Sequence, residues 1–219
     1  MKRYLPFLIV GLVAALAFGA GFALYRSKPA VVAPTAAKEG TTSAGHLRGK
    51  KDSPVTIEEF GDFQCPPCSV MATALKKIED DYKGRVRVIF HHFPLAMHAN
   101  ARPAADAAEA ADLQGHFWEM HDLLYKEQTN WSKATDVLPL LTGYAGTLGM
   151  NVDRLKKDME SEAVKERVEA DHKLGASRGV TSTPTVFVNN TLVPPNALNP
   201  DGLHKAIEEA LKPSDKSKP

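Results

Sequence analysis

The chain of 219 residues is poor in cysteine, with only two, and poor in aromatics, at 7%. Two cysteines three positions apart, Cys65 and Cys68, exclude a disulfide-scaffolded miniprotein. A bridge closing so short a loop would also remove little entropy from the unfolded chain, so it is a poor staple. No histidine follows the second cysteine, where Ser69 stands, and this excludes haem attachment through the pair. There is no second Cys-x-x-Cys, as a zinc ribbon would need. The formal charge is +1, which gives no electrostatic case for nucleic acid. No internal repeat is visible. Reactivity or metal binding remains as the purpose of the cysteines.

Long apolar runs are confined to one place. Lys2 and Arg3 precede an uncharged run, 5–25, that ends before Arg26. As a helix it would extend about 32 Å, enough to cross a bilayer core of about 30 Å. Residues 1–26 therefore read as a signal anchor that carries the bulk of the protein out of the cytoplasm. Small residues such as Ala15-Leu16-Ala17 leave a cleaved signal peptide as the alternative. Residues 27–45, rich in Pro, Gly and small side chains, read as a flexible linker, and 214–219 as a polar disordered tail.

The folded part is expected from about His46. Residues 55–60 (Val-Thr-Ile-Glu-Glu-Phe) read as a strand and, after Cys68, Val70, Met71, Ala74, Leu75 and Ile78 recur at helical spacing to about Tyr82. Pro66 falls at the first helical position, where a missing N–H is harmless. Both sulfurs then lie on the first turn of a helix fed by a strand, the setting of a redox-active dithiol. Residues 85–93 read as a second strand in a βαβ unit. From 98 to 175 only helical patterns occur, over 101–113, 115–128, from 137, 152–159 and 161–176. Residues 185–188 and 191–193 form a hairpin about Asn189-Asn190, and 201–211 a last amphipathic helix. The pattern predicts an α/β sheet of strands 46–97 and 176–213, interrupted by a helical domain at 98–175.

Four segments in this order resemble a known family. Phe60-Gly61-Asp62-Phe63-Gln64-Cys65-Pro66-Pro67-Cys68, His92-Phe93-Pro94-Leu95, Gly115-His116-Phe117-Trp118-Glu119-Met120-His121 and Thr183-Pro184-Thr185-Val186-Phe187-Val188-Asn189 are similar to the DsbA-like, membrane-anchored thiol-disulfide oxidoreductases of bacteria. The resemblance implies a thioredoxin fold with an inserted all-helical domain and dithiol-disulfide exchange with no bound cofactor. The implied partners are secreted proteins with free cysteines and a membrane protein that reoxidises the pair. It implies that Cys65 is the exposed, attacking cysteine and Cys68 the resolving one, that the Thr183-Pro184 peptide is cis beside them, and that Glu59 is the buried acid. The pair Pro66-Pro67 departs from the strongly oxidising members, which carry histidine second.

The chemistry of these residue types agrees. A cysteine at a helix N-terminus has a depressed pKa, and a stabilised thiolate makes its disulfide a better oxidant. Pro66 and Pro67 remove two backbone donors near the sulfur, so a milder oxidant is expected. Glu59 shares a face with Val55 and Ile57, where burial would raise its pKa and suit proton relay to Cys68. A disulfide isomerase or reductase with the same site is the alternative within the class. A metallochaperone using the cysteines with His91, His92 and His98 is the alternative outside it. His91 and His92, adjacent on a strand, are expected on opposite faces in packing roles, and His98, His116 and His121 at surface or interdomain contacts.

Overall fold

A computed structural model describes residues 45–212. The anchor read at 1–26, nearly all of the linker and the tail lie outside these residues. Among the described residues no helix is long and apolar enough to cross a membrane.

Five strands form one sheet in the order β1-β3-β2-β4-β5. The central strand β2 (Val55–Gly61) pairs in parallel with β3 (Val86–His92) and antiparallel with β4 (Thr185–Val188). Between β2 and β3 runs α1 (Pro66–Tyr82), which buries Met71, Leu75, Ile78 and Tyr82 at helical spacing. Lys83 and Gly84, with φ of 43° and 83°, stop it in left-handed conformation, as a helix C-terminus commonly requires. β4 returns through Asn189 and Asn190, φ 46° and 65°, into β5 (Thr191–Leu192). Two consecutive positive φ values are those of a type I′ hairpin, which asparagine tolerates. A 3-10 turn at Pro195–Ala197 follows, and then α8 (Pro200–Leu211) opens on Asn199, whose side chain accepts from the Gly202 N–H at 3.0 Å.

The helices between β3 and β4 are α2 (Ala101–Asp112), α3 (Phe117–Lys126), α4 (Gln128–Trp131), α5 (Leu138–Thr147), α6 (Val152–Met159) and α7 (Glu162–Ser177). Helix α2 is central to this group. Its buried residues are seven alanines and Glu109, and side chains this small let α3, α6 and α7 approach it closely. Helix α7 carries the chain back onto the sheet. At Gly175 a Cβ would come within 2.7–2.8 Å of Phe93 and Phe60, so only glycine allows that approach.

One apolar core joins Val55, Ile57, Val86, Val88, Val186 and Val188 to α1 and to Leu203 and Ile207 of α8. A second joins Phe63, Cys65, Cys68 and Phe90 to the helical block, including Trp131 and Leu141. A third, Phe60, Phe93, Val180 and Phe187, lies on the opposite face of the sheet.

Two differences from the sequence reading stand out. A strand precedes the first expected one: β1 (His46–Gly49) pairs antiparallel with β3. The single helix expected over 115–128 is two, broken at Glu127 (φ −95°, ψ 12°). His121, expected at a surface or interdomain contact, makes the latter: it is buried where the helical block meets the sheet, among Phe63, Phe90 and Tyr125, with burial as the main cause of a pKa lowered to about 4.

Candidate active site

Cys65 is the residue that caps α1 (φ −74°, ψ 118°), and Pro66 and Pro67 occupy the first two helical positions. With both prolines lacking N–H groups, the first amide of the helix able to donate is that of Cys68, which bonds the Cys65 carbonyl at 3.1 Å. The two cysteines are unbridged. Their surroundings differ. Cys68 is fully buried, and Cys65 keeps 5% of its surface exposed, far less than the exposed position that the resemblance implies. The loop at Thr183 accounts for part of that cover: Cys65 Sγ donates to the Thr183 carbonyl at 3.3 Å, and the Thr183–Pro184 peptide is cis.

These surroundings pull the two thiols apart in acidity. Hydrogen bonding from the Cys68 thiol, aided by Thr183 and the Cys68 amide against the opposing effect of burial, brings Cys65 down to about 6. The Thr183 carbonyl serves only the protonated sulfur. For the thiolate the donor is the Thr183 hydroxyl, which is buried and otherwise without a partner among the described residues. Burial, the hydrogen bond with Cys65 and the charge of Glu59 drive Cys68 far upward. One sulfur is therefore a thiolate at neutral pH and the other a thiol.

Glu59 lies on β2, 1% exposed, with Oε1 lacking any hydrogen-bond partner among the described residues. Burial raises its pKa to about 8, the Arg48 charge opposing and the Cys65 charge adding, so it is protonated at neutral pH. Tyr125 contributes a second buried hydroxyl without a hydrogen-bond partner among the described residues, and a Cβ added at Gly61 would lie 3.0 Å from it. The structure thus brings together Cys65, Cys68, Pro66, Pro67, Thr183, Pro184 and, through its field on both sulfurs, Glu59.

Several residues that hold this site are not visible in the sequence pattern. Gln128 Nε2, from α4, donates to the carbonyls of Phe63 (2.7 Å) and Cys65 (3.0 Å). Gln64 donates to the Ser132 carbonyl and accepts from the Asn100 amide, both at 2.7 Å. Asp62 accepts from the Gln64 and Leu95 amides and from His98. The loop before Cys65 is therefore clamped by the helical block. The break at Glu127 that frees Gln128 from α3 is the only local signal of it. His91 and His92 do not approach the cysteines as a ligand set. His91 stacks on Phe60 and pairs with Asp171, while His92 faces Glu109 on the other side of β3.

A parallel β-α-β unit with a dithiol at the helix start and a cis-proline loop facing it defines the class: a thioredoxin fold with a dithiol centre. Comparison with known proteins agrees. The family model described as Thioredoxin matches residues 41–209. The oxidised BdbD of Bacillus subtilis superimposes with a TM-score of 0.70 at 29% identity, over 79% of this chain and 96% of that one. A probable disulfide bond formation protein D of Bacillus anthracis is 34% identical over 170 residues, 75% of this chain and 77% of that protein. A Na+/H+ antiporter NhaA 1 of Salinispora arenicola is 36% identical over 180 residues, so the chain spans about a quarter (26%) of that relative's length. The chain belongs to the thioredoxin family, among the DsbA/BdbD-like thiol-disulfide oxidoreductases.

Proposed function

We propose that this protein is an extracytoplasmic thiol-disulfide oxidoreductase that forms disulfides in secreted or envelope proteins through Cys65 and Cys68. The observation that carries the reading is the opposed acidity of the two sulfurs. In the oxidised enzyme a client thiolate attacks Cys65 Sγ, the Cys65–Cys68 bond breaks, and the electron pair leaves on Cys68. That sulfur cannot persist as a thiolate in its buried setting, and the protonated Glu59 is the acid suited to supply its proton. The client's second thiol then attacks the client sulfur of the mixed disulfide and releases Cys65 as a stable thiolate. Two electrons have passed from client to enzyme and the client holds the disulfide; the proton of the client's second thiol restores Glu59, and that of the first stays in solvent because Cys65 remains a thiolate.

Thr183 and the cis Pro184 have the role of shaping the surface beside Cys65 where an extended client segment lies. The apolar side chains of Val70 and Met97, 72% and 83% exposed, suit such a contact. Residues 98–175 act as a helical cap that fixes the dithiol loop, residues 1–26 as the membrane anchor, and a membrane redox partner withdraws the electrons.

A Cys65 pKa of about 6 lies between the handful of reference thiols near ~3.5 and ~7, which fits a moderate rather than extreme oxidant. Equilibration with glutathione tests this. The expected reduction potential is about −120 to −180 mV, and a value near −270 mV, that of reducing thioredoxins, would overturn the oxidase reading.

A further inference from the structure

Away from the cysteines, β1, β3 and α2 bring three buried metal-ligating side chains to one point. His46 opens β1, His92 ends β3 and Glu109 lies in α2, with exposures of 8%, 0% and 4%. One donor atom of each lies within 4.8 Å of the other two. We propose that His46, His92 and Glu109 form a binding site for a divalent transition-metal ion, zinc foremost, that ties β1 to the sheet and to the helical block.

The donor set is that of a three-ligand zinc site, two imidazoles and a carboxylate, with a fourth position left for water. Two nitrogen donors favour zinc and its neighbours over calcium or magnesium, which take oxygen. Glu109 Oε1 is the shared atom, 2.7 Å from His46 Nε2 and 3.1 Å from His92 Nε2. The second approach makes no hydrogen bond: both ring nitrogens of His92 are buried and without a hydrogen-bond partner among the described residues. Such a nitrogen is costly to bury unless something claims its lone pair, and a cation among the three donors does so.

The surroundings orient the ligands as a metal centre requires. The His46 ring stacks on Phe117 with centroids 3.4 Å apart and planes 8° from parallel. Its other nitrogen, Nδ1, faces Asp112 Oδ1 at 3.6 Å, just beyond hydrogen-bond distance, on the side from which a carboxylate would orient the ring of a metal-bound histidine. The Asp112 side chain itself is half-exposed. The Arg167 Nε lies 3.8 Å from Glu109 Oε1, and its guanidinium also bonds Asp171 at 2.8 Å. These residues do not overlap the Cys65–Cys68 pair, so the proposal stands apart from the redox reading.

The test uses the full-length chain in its oxidised form, which keeps both sulfurs from acting as ligands. Equilibrium dialysis against about 10 µM zinc chloride should leave about one zinc per chain, and cobalt should give the intense visible bands of a tetrahedral site. Glu109→Gln and His46→Gln should each weaken zinc binding by about 100-fold or more, and Asp112→Asn by about 10-fold. The direct titration of the unaltered chain decides the matter even where a variant fails to fold. Less than about 0.1 zinc per chain would overturn the site, as would zinc binding indifferent to Glu109→Gln and His46→Gln in folded protein.

Discussion

The two ends of strands β2 and β3 are built alike and used differently. At their starts Val55, Ile57, Val86 and Val88 face α1 and α8 in a core of hydrocarbon. At their ends the same faces and their reverse carry Glu59, His91 and His92, all buried. The backbone pairing is continuous across both halves, from Val55↔Val86 to Gly61↔His92. Only the neighbours change, from aliphatic helix faces to the helical block with its glutamine, asparagine and carboxylates. One half is free to maximise packing. The other holds groups whose protonation is displaced by burial, at the carboxyl ends of the strands, where open α/β sheets place their sites. The helical block makes this possible because it removes water from the strand ends while supplying the polar partners that buried groups require.

The contrast can be broken from either half. Ile57→Ala in the hydrocarbon end should cost about 2–5 kcal/mol of stability, read by denaturant unfolding, and leave the reduction potential unchanged. A matched shift in potential would show that the two halves are not separable. Glu59→Gln should do the reverse. With a folded pKa of about 8 against an ordinary 4.5, Glu59 holds its proton more tightly in the folded protein. Its contribution is complete below pH 4.5 and is lost as pH rises towards 8. The variant, which has no carboxyl to ionise, should therefore gain on the native protein across that window, by at most about 3 kcal/mol at pH 7. It should also slow the release of Cys68 during disulfide exchange, and unaltered pH dependence of both stability and rate would remove Glu59 from the proton path.

The same division explains what could be read from the sequence. The hydrocarbon half announces itself: alternation in β2 and β3, helical spacing in α1, and Asn189-Asn190 at the hairpin place these elements within a residue or two. The dithiol was legible for the same reason, since its helix start is fixed by Pro66. Strand β1 was not. His46-Leu47-Arg48-Gly49 has no alternation of its own, and its strand character comes from pairing with β3 and from Trp118 Nε1 donating to the Leu47 carbonyl at 3.0 Å. Gln128 was equally hidden, because a glutamine in a polar stretch gives no sign that two carbonyls next to a cysteine await it. What failed were side chains whose partners come from distant segments.

The inequality of Cys65 and Cys68 is central to the chemistry, and the pH dependence of alkylation of the reduced protein reads it directly. Iodoacetamide labelling, resolved by mass spectrometry, should rise with a midpoint near pH 6 at Cys65, while Cys68 stays unlabelled through neutral pH. Cys65's folded pKa is depressed from 9, so its thiolate stabilises the reduced fold above that value and the gain fades as pH falls towards 6. The thermal stability of the reduced form relative to the oxidised form should follow the same course. A Cys65 midpoint near 9, or equal labelling of the two sulfurs, would contradict the central claim.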